Sequence, residues 1–141
     1  MKTLGAFEGV SVDQMYREHL LDHYKNPHNL GRIQGAEHFH DVNPLCGDEI
    51  EMFVVFASAN IKKVMFYGKG CALSQATASI LTDEIQGKSF DFVRTLDKEK
   101  IQEIVGVKVA PMRVKCMMLP VKVLKTIVYL HEGQKLKGDE E

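Results

Sequence analysis

The amino-acid sequence predicts an α+β fold: a small antiparallel sheet of two to three strands with about four to five helices packed on it. Three observations carry this expectation. Two adjacent segments, residues 50–56 and 61–67, show the period-two alternation of strands and are joined by a short turn. Everything after them switches to helical spacing. No strand–helix–strand alternation, the order that builds a parallel sheet, occurs in the chain.

The elements follow in order. Ser11-Val12-Asp13-Gln14 fits a capping box, and Tyr16, Leu20 and Tyr24 recur every four residues, predicting an amphipathic helix from about Val12 to Tyr24 that Pro27 ends. Residues 26–43, rich in Asn, Gly, His and Pro, read as loop with one short strand at most. Ile50, Met52, Val54 and Phe56 form the apolar side of the first strand, and Val64 and Phe66 that of the return strand. Gly68-Lys69-Gly70 breaks it, and from Ala72 a helix rich in small residues runs to a Gly87 stop. Short helices are predicted at 90–93 and 97–105, and a last one from about Met117 to Leu130, with Pro120 in its first turn. The 141 residues read as a single domain, 1–141, with residues 1–10 and 133–141 as loose termini.

Composition excludes several classes. Lys and Arg number 18 against 19 Asp and Glu, a net charge of −1, which does not suit a nucleic-acid groove. The longest mostly apolar stretch, Met52–Ala59, is too short for a membrane span, which needs about 18 residues. With no apolar leader in residues 1–10, the expected location is the cytoplasm, where thiols stay reduced. Three cysteines, an odd number, rule out a disulfide framework.

Each cysteine sits at the edge of an element. Cys46 lies in the loop Asn43-Pro44-Leu45-Cys46-Gly47-Asp48, Cys71 at the start of the small-residue helix, and Cys116 at the start of the last helix. A helix N-terminus carries partial positive charge, and a neighbouring lysine adds to it, so Cys71 and Cys116 are expected to ionise readily, Cys116 with help from Lys115. Antiparallel strands joined by a short turn return to the same end, which brings Cys46 and Cys71 together with Asp48. If the last helix docks there, Cys116 completes three sulfurs and one oxygen, a set suited to tetrahedral zinc or iron. Spacing alone does not separate a metal site from three buried structural thiols. Placement outside the middles of elements favours the metal. His19 and His23 have i, i+4 spacing without the H-E-x-x-H pattern and read as solvated or partly buried; His38 and His40 read as exposed.

In these segments the chain resembles the iron–sulfur cluster assembly scaffold family, the IscU/NifU N-terminal type, with SufU-like features. The matching stretches are Tyr24-Lys25-Asn26-Pro27-His28-Asn29 with Gly31, Asn43–Asp48, Gly68-Lys69-Gly70-Cys71-Ala72 with Ser74 and Ala76, Gly87-Lys88, and Arg113-Val114-Lys115-Cys116. The resemblance implies a non-enzymatic scaffold that accepts sulfur from a cysteine desulfurase, holds a transient [2Fe–2S] cluster and passes it to apo iron–sulfur proteins. By the same resemblance the ligands are Cys46, Asp48, Cys71 and Cys116, with zinc possible in the apo form. Cys116 and Cys46 are the candidate persulfide acceptors, and Lys115 would stabilise the Cys116 thiolate. Partners of nucleic-acid or membrane type are not expected. Lys115 stands where the IscU type has histidine, as in the SufU type, which raises the alternative of a zinc-dependent sulfurtransferase. Val109-Ala110-Pro111-Met112-Arg113 replaces the family's chaperone-docking motif, so docking of an Hsp70-type chaperone is doubtful. Cys71 and Cys116 lie only 45 positions apart, without the insertion of the SufU type.

Overall fold

A computed structural model describes residues 12–140. Helix α1 (Val12–Lys25) leads to three strands, β1 (Glu37–Asn43), β2 (Asp48–Ala57) and β3 (Asn60–Lys69). Four helices follow: α2 (Ala72–Ile85), α3 (Phe90–Arg94), α4 (Lys98–Val105) and α5 (Val114–Glu140), the last entered through a 3₁₀ turn at Pro111–Arg113. The sheet is antiparallel in the order β1-β2-β3. The α+β layout expected from the sequence is the one observed.

The β2–β3 hairpin places the alternating residues as their period requires. Ile50, Met52 and Val54 are buried, with Val64 and Phe66 paired across from Val54 and Met52. Phe53, on the opposite face, is also buried, with the His38 ring stacked on it at 5.7 Å between centroids. Strand β1 is the outer strand whose alternation is hidden in the sequence: Phe39 and Asp41 turn partly inward while His38, His40 and Val42 are exposed. The two histidines face Glu51 and Glu49 across the strands, at 3.1 and 3.4 Å.

Helix α2 is the centre of the molecule, packed against α1, α5 and β3. Its small residues make this possible. Ser74, Ala76, Thr77, Ala78, Ser79 and Thr82 all have no exposed surface, so neighbouring backbones approach closely on several sides. Helix α5 lies across β1 and β2. Met117, Val121, Leu124 and Val128 fill the space between. None of the described helices is long and apolar enough to cross a membrane.

Two expectations are revised, and a third falls outside the described residues. The last helix begins at Val114 and not at Met117, so Pro120 is its seventh residue and sits inside it. It also runs to Glu140, through the stretch read as a loose tail. The capping box rests on Ser11, which lies outside the described residues, as do residues 1–10.

His23 joins α1 to α2. It is buried, with Nδ1 2.7 Å from the Ser79 hydroxyl, which also accepts the His28 backbone N–H at 2.7 Å. Burial first, then the neighbouring His19 and His28, hold its pKa below the ordinary 6.5, against the opposing pull of Asp83 and Asp22. The unfolded chain therefore takes up this proton first as pH falls. Stability from His23 is complete above pH 6.5 and is lost on acidification below it, with a slope of at most about 1.4 kcal/mol per pH unit. Urea unfolding of the native chain and of His23→Gln at pH 8 to 5 checks this: the variant should show the shallower decline, and equal slopes would refute it.

Candidate metal centre

Asp48 is the hub of the site. It opens β2 directly after the turn, opposite Asn43 of β1, and has no exposed surface. Gly47, at φ +74°, turns the chain into the strand, so that Cys46 doubles back over Asp48. The Cys46 thiol donates to Asp48 Oδ2 at 3.0 Å. From the far end of the hairpin, Cys71 donates its backbone N–H to Oδ1 at 2.7 Å and its thiol to Oδ2 at 3.3 Å. Cys71 is the N-cap of α2, in extended conformation at φ −72° and ψ 160°. Cys116, in the first turn of α5, places its Sγ 3.4 Å from that of Cys46.

Three separate elements thus bring their thiols to one carboxylate. Exposure falls from Cys46, which is exposed, through half-buried Cys71 to buried Cys116. Lys115 is exposed.

The electrostatics of the four groups are coupled. Burial alone would push the Asp48 carboxyl up. The hydrogen bonds it accepts from the Cys46 thiol, from the Cys71 backbone and from the Cys71 and Cys116 thiols outweigh this and hold it below the ordinary carboxylate range. Cys116 moves the other way. Burial, then its hydrogen bonds to Cys46 and Asp48 and the nearby thiol of Cys71, push it up to about 12. This corrects the expectation that Cys116 ionises readily with help from Lys115. Desolvation and the crowded sulfurs and carboxylate act against the partial charge of the helix start.

The donor set fits a metal. Two sulfurs bound tetrahedrally at about 2.3 Å lie about 3.8 Å apart. The 3.4 Å between Cys46 and Cys116 is slightly tighter, so a modest expansion replaces thiol protons with an ion. One ligand atom each from Cys46, Asp48 and Cys116 already lies within 4.8 Å of the others. Binding releases the thiol protons, which makes affinity rise with pH.

Sequence reasoning missed two supports. Ser74 donates to the Cys71 carbonyl at 3.2 Å, lies 3.8 Å from Cys71 Sγ and accepts from Gln75 at 3.2 Å, fixing the first turn of α2 beneath the sulfur. Its position three residues after Cys71 was the available signal. Gly70, at φ +135°, lets the backbone pass against Asp48.

Comparison with known proteins agrees with this layout. The family model described as NifU-like N terminal domain matches residues 15–137. The chain is 31% identical to the zinc-dependent sulfurtransferase SufU of Bacillus subtilis, over 88% of this chain and 96% of that protein. It is also 31% identical to the iron–sulfur cluster assembly scaffold protein IscU of Streptococcus pyogenes, over 83% of this chain and 84% of the relative. The crystal structure of the SUF-system protein FiSufU from Fervidobacterium islandicum AW-1 superposes with a TM-score of 0.68 at 30% identity, over 79% of this chain and 94% of that one.

Proposed function

The chain belongs to the NifU-like N-terminal domain family, and on that premise we propose that it is a scaffold and carrier for iron–sulfur cluster assembly. It accepts sulfur from a cysteine desulfurase, holds a [2Fe–2S] cluster on Cys46, Asp48, Cys71 and Cys116, and passes it to apo-proteins. The observation that carries this reading is the buried Asp48 carboxylate at the meeting point of three thiols. A carboxylate is a harder and weaker partner for cluster iron than a thiolate, so one oxygen among three sulfurs gives a cluster that is held and can be released.

Cys46 is the first sulfur acceptor. It is the exposed thiol, so its proton can leave to solvent base. The Cys46 thiolate attacks the terminal sulfur of the desulfurase persulfide. A new S–S bond forms at Cys46, the desulfurase S–S bond breaks, and the desulfurase cysteine leaves as thiolate. Leu45, next to Cys46, and Met112, four residues before Cys116, are exposed by 83% and 85% and offer apolar contacts to a docking protein.

A second reading, zinc-dependent sulfurtransfer, is favoured by the similarity to the Bacillus subtilis protein and by the ligand atoms of Cys46, Asp48 and Cys116 lying within 4.8 Å of one another. Metal analysis of the isolated protein, then anaerobic reconstitution with ferrous iron, cysteine and a desulfurase, separates the two. The scaffold reading expects visible sulfur-to-iron absorption that Cys71→Ser abolishes. Tightly held zinc at one equivalent, a persulfide on Cys46 by mass spectrometry and no visible absorption would establish the second reading instead.

A further inference from the structure

At the opposite end of α2 from the thiols stands a second group of metal-ligating side chains. Asp83 lies in the last turn of α2, about 18 Å along the helix from Cys71 at 1.5 Å per residue. His28 Nδ1 is 2.5 Å from Asp83 Oδ2. The His23 ring lies 4.4 Å from that of His28, centroid to centroid. One ligand atom from each of His23, His28 and Asp83 falls within 4.8 Å of the others. None of the three takes part in the sulfur chemistry.

We propose that His23, His28 and Asp83 form a second metal site, which holds a divalent first-row cation such as Fe²⁺ or Zn²⁺ on two imidazoles and one carboxylate.

The surrounding bonds orient these groups as metal ligands are oriented. In bound sites the ring nitrogen that does not face the metal is engaged by a neighbour, and the carboxylate is itself hydrogen-bonded. Here Ser79 Oγ engages Nδ1 of His23 at 2.7 Å, which leaves Nε2 as the ring nitrogen free to ligate an ion. Asn29 donates to Asp83 Oδ1 at 2.8 Å, which leaves Oδ2 directed at His28. Asn29 sits at φ +59°, in the left-handed region that asparagine adopts more readily than most residues with a side chain, and the backbone N–H of His28 is held by the same Ser79 hydroxyl. The loop is thereby pinned over α2. The carbonyl end of α2 adds partial negative charge, which favours a cation. Two imidazoles and one carboxylate with open positions suit Fe²⁺ and Zn²⁺, whereas the thiol-rich centre selects softer bonding.

The site lies at the surface, with the His28 and Asp83 side chains 49% and 45% exposed, so an ion can enter from solvent without unfolding. His19 stands beside it, its ring 4.7 Å from that of His23. This inference does not depend on what the thiol centre does.

Cobalt titration of the tag-free full chain tests it. Co²⁺ is followed by equilibrium dialysis and by visible absorption, before and after alkylation of the three cysteines. Two equivalents are expected in the untreated protein. One has intense sulfur-to-cobalt bands that alkylation removes, and one lacks those bands and survives alkylation. His28→Asn and Asp83→Asn, both at exposed positions, should each weaken the surviving equivalent at least tenfold and leave the sulfur bands unchanged. Absence of a surviving equivalent, or its persistence at full affinity in both variants, overturns the proposal. Missing sulfur bands with an intact second equivalent would count against the thiol centre alone.

Discussion

Gly70→Ala is expected to lower the unfolding free energy by about 2–4 kcal/mol and to abolish metal binding at the thiols. Two effects add. The φ of +135° is one that residues with a side chain rarely adopt. A Cβ placed there would also fall 2.8 Å from Asp48 Cα and closer still to the carboxylate oxygen. Neither neighbour can yield, because Asp48 is fully buried and its Cα belongs to β2. The carboxylate must leave the position at which Cys46 and Cys71 meet it. Gly87→Ala serves as the control. Gly87 has a positive φ of +82° but nothing within 4 Å of the added carbon, so only the conformational penalty of about 1 kcal/mol applies. Denaturant unfolding and zinc titration of the two variants check this. Equal effects at the two sites would show that the contact with Asp48 is unimportant.

Asp48→Asn is expected to weaken zinc binding by more than about 100-fold while the protein stays folded. Altering the groups that merely orient a ligand already costs about 10–100-fold, and here a ligand itself is lost. The amide oxygen can still accept the Cys71 backbone N–H that Oδ1 receives at 2.7 Å, so the start of α2 is preserved. The other position becomes an N–H donor aimed where two thiols donate to Oδ2. It can neither take a thiol proton nor ligate a metal. Loss of the charge-assisted hydrogen bonds lowers stability by about 1–3 kcal/mol at neutral pH. Competition with a chromophoric chelator measures the affinity, and circular dichroism the fold. Undiminished zinc affinity would place the metal elsewhere.

What the sequence made legible divides along physical lines. The β2–β3 hairpin was readable because Ile50, Met52, Val54, Val64 and Phe66 alternate within a local stretch, and burial follows that period. Cys71 at the start of α2 was readable because Gly68-Lys69-Gly70 breaks the strand immediately before it. Strand β1 was nearly invisible: its exposed face carries His38 and His40, and its assignment depends on pairing with β2, not on its own composition. The extent of α5 was misread because its last two turns are polar and contain Gly133, features that in isolation signal a tail. At the thiol centre, residue types and topology pointed to the four groups. The direction of the Cys116 shift was not accessible, since it depends on burial and on neighbours 45 and 70 positions away. The histidine cluster was least accessible of all. His28 and Asp83 are 55 positions apart, and no spacing rule joins them.

Pro120 has a mechanical consequence for Cys116. A residue at position 120 of an ordinary helix would donate its N–H to the carbonyl of residue 116, and proline has none to give. The turn that carries Cys116 is therefore tied to the rest of α5 by one hydrogen bond fewer than the turns after it. Cys71 is fastened to Asp48 through both its backbone N–H and its thiol, and Cys46 through its thiol, while Cys116 also packs its sulfur 3.4 Å from that of Cys46. Of the walls of the centre, the one on α5 is the one whose helical ladder is a bond short.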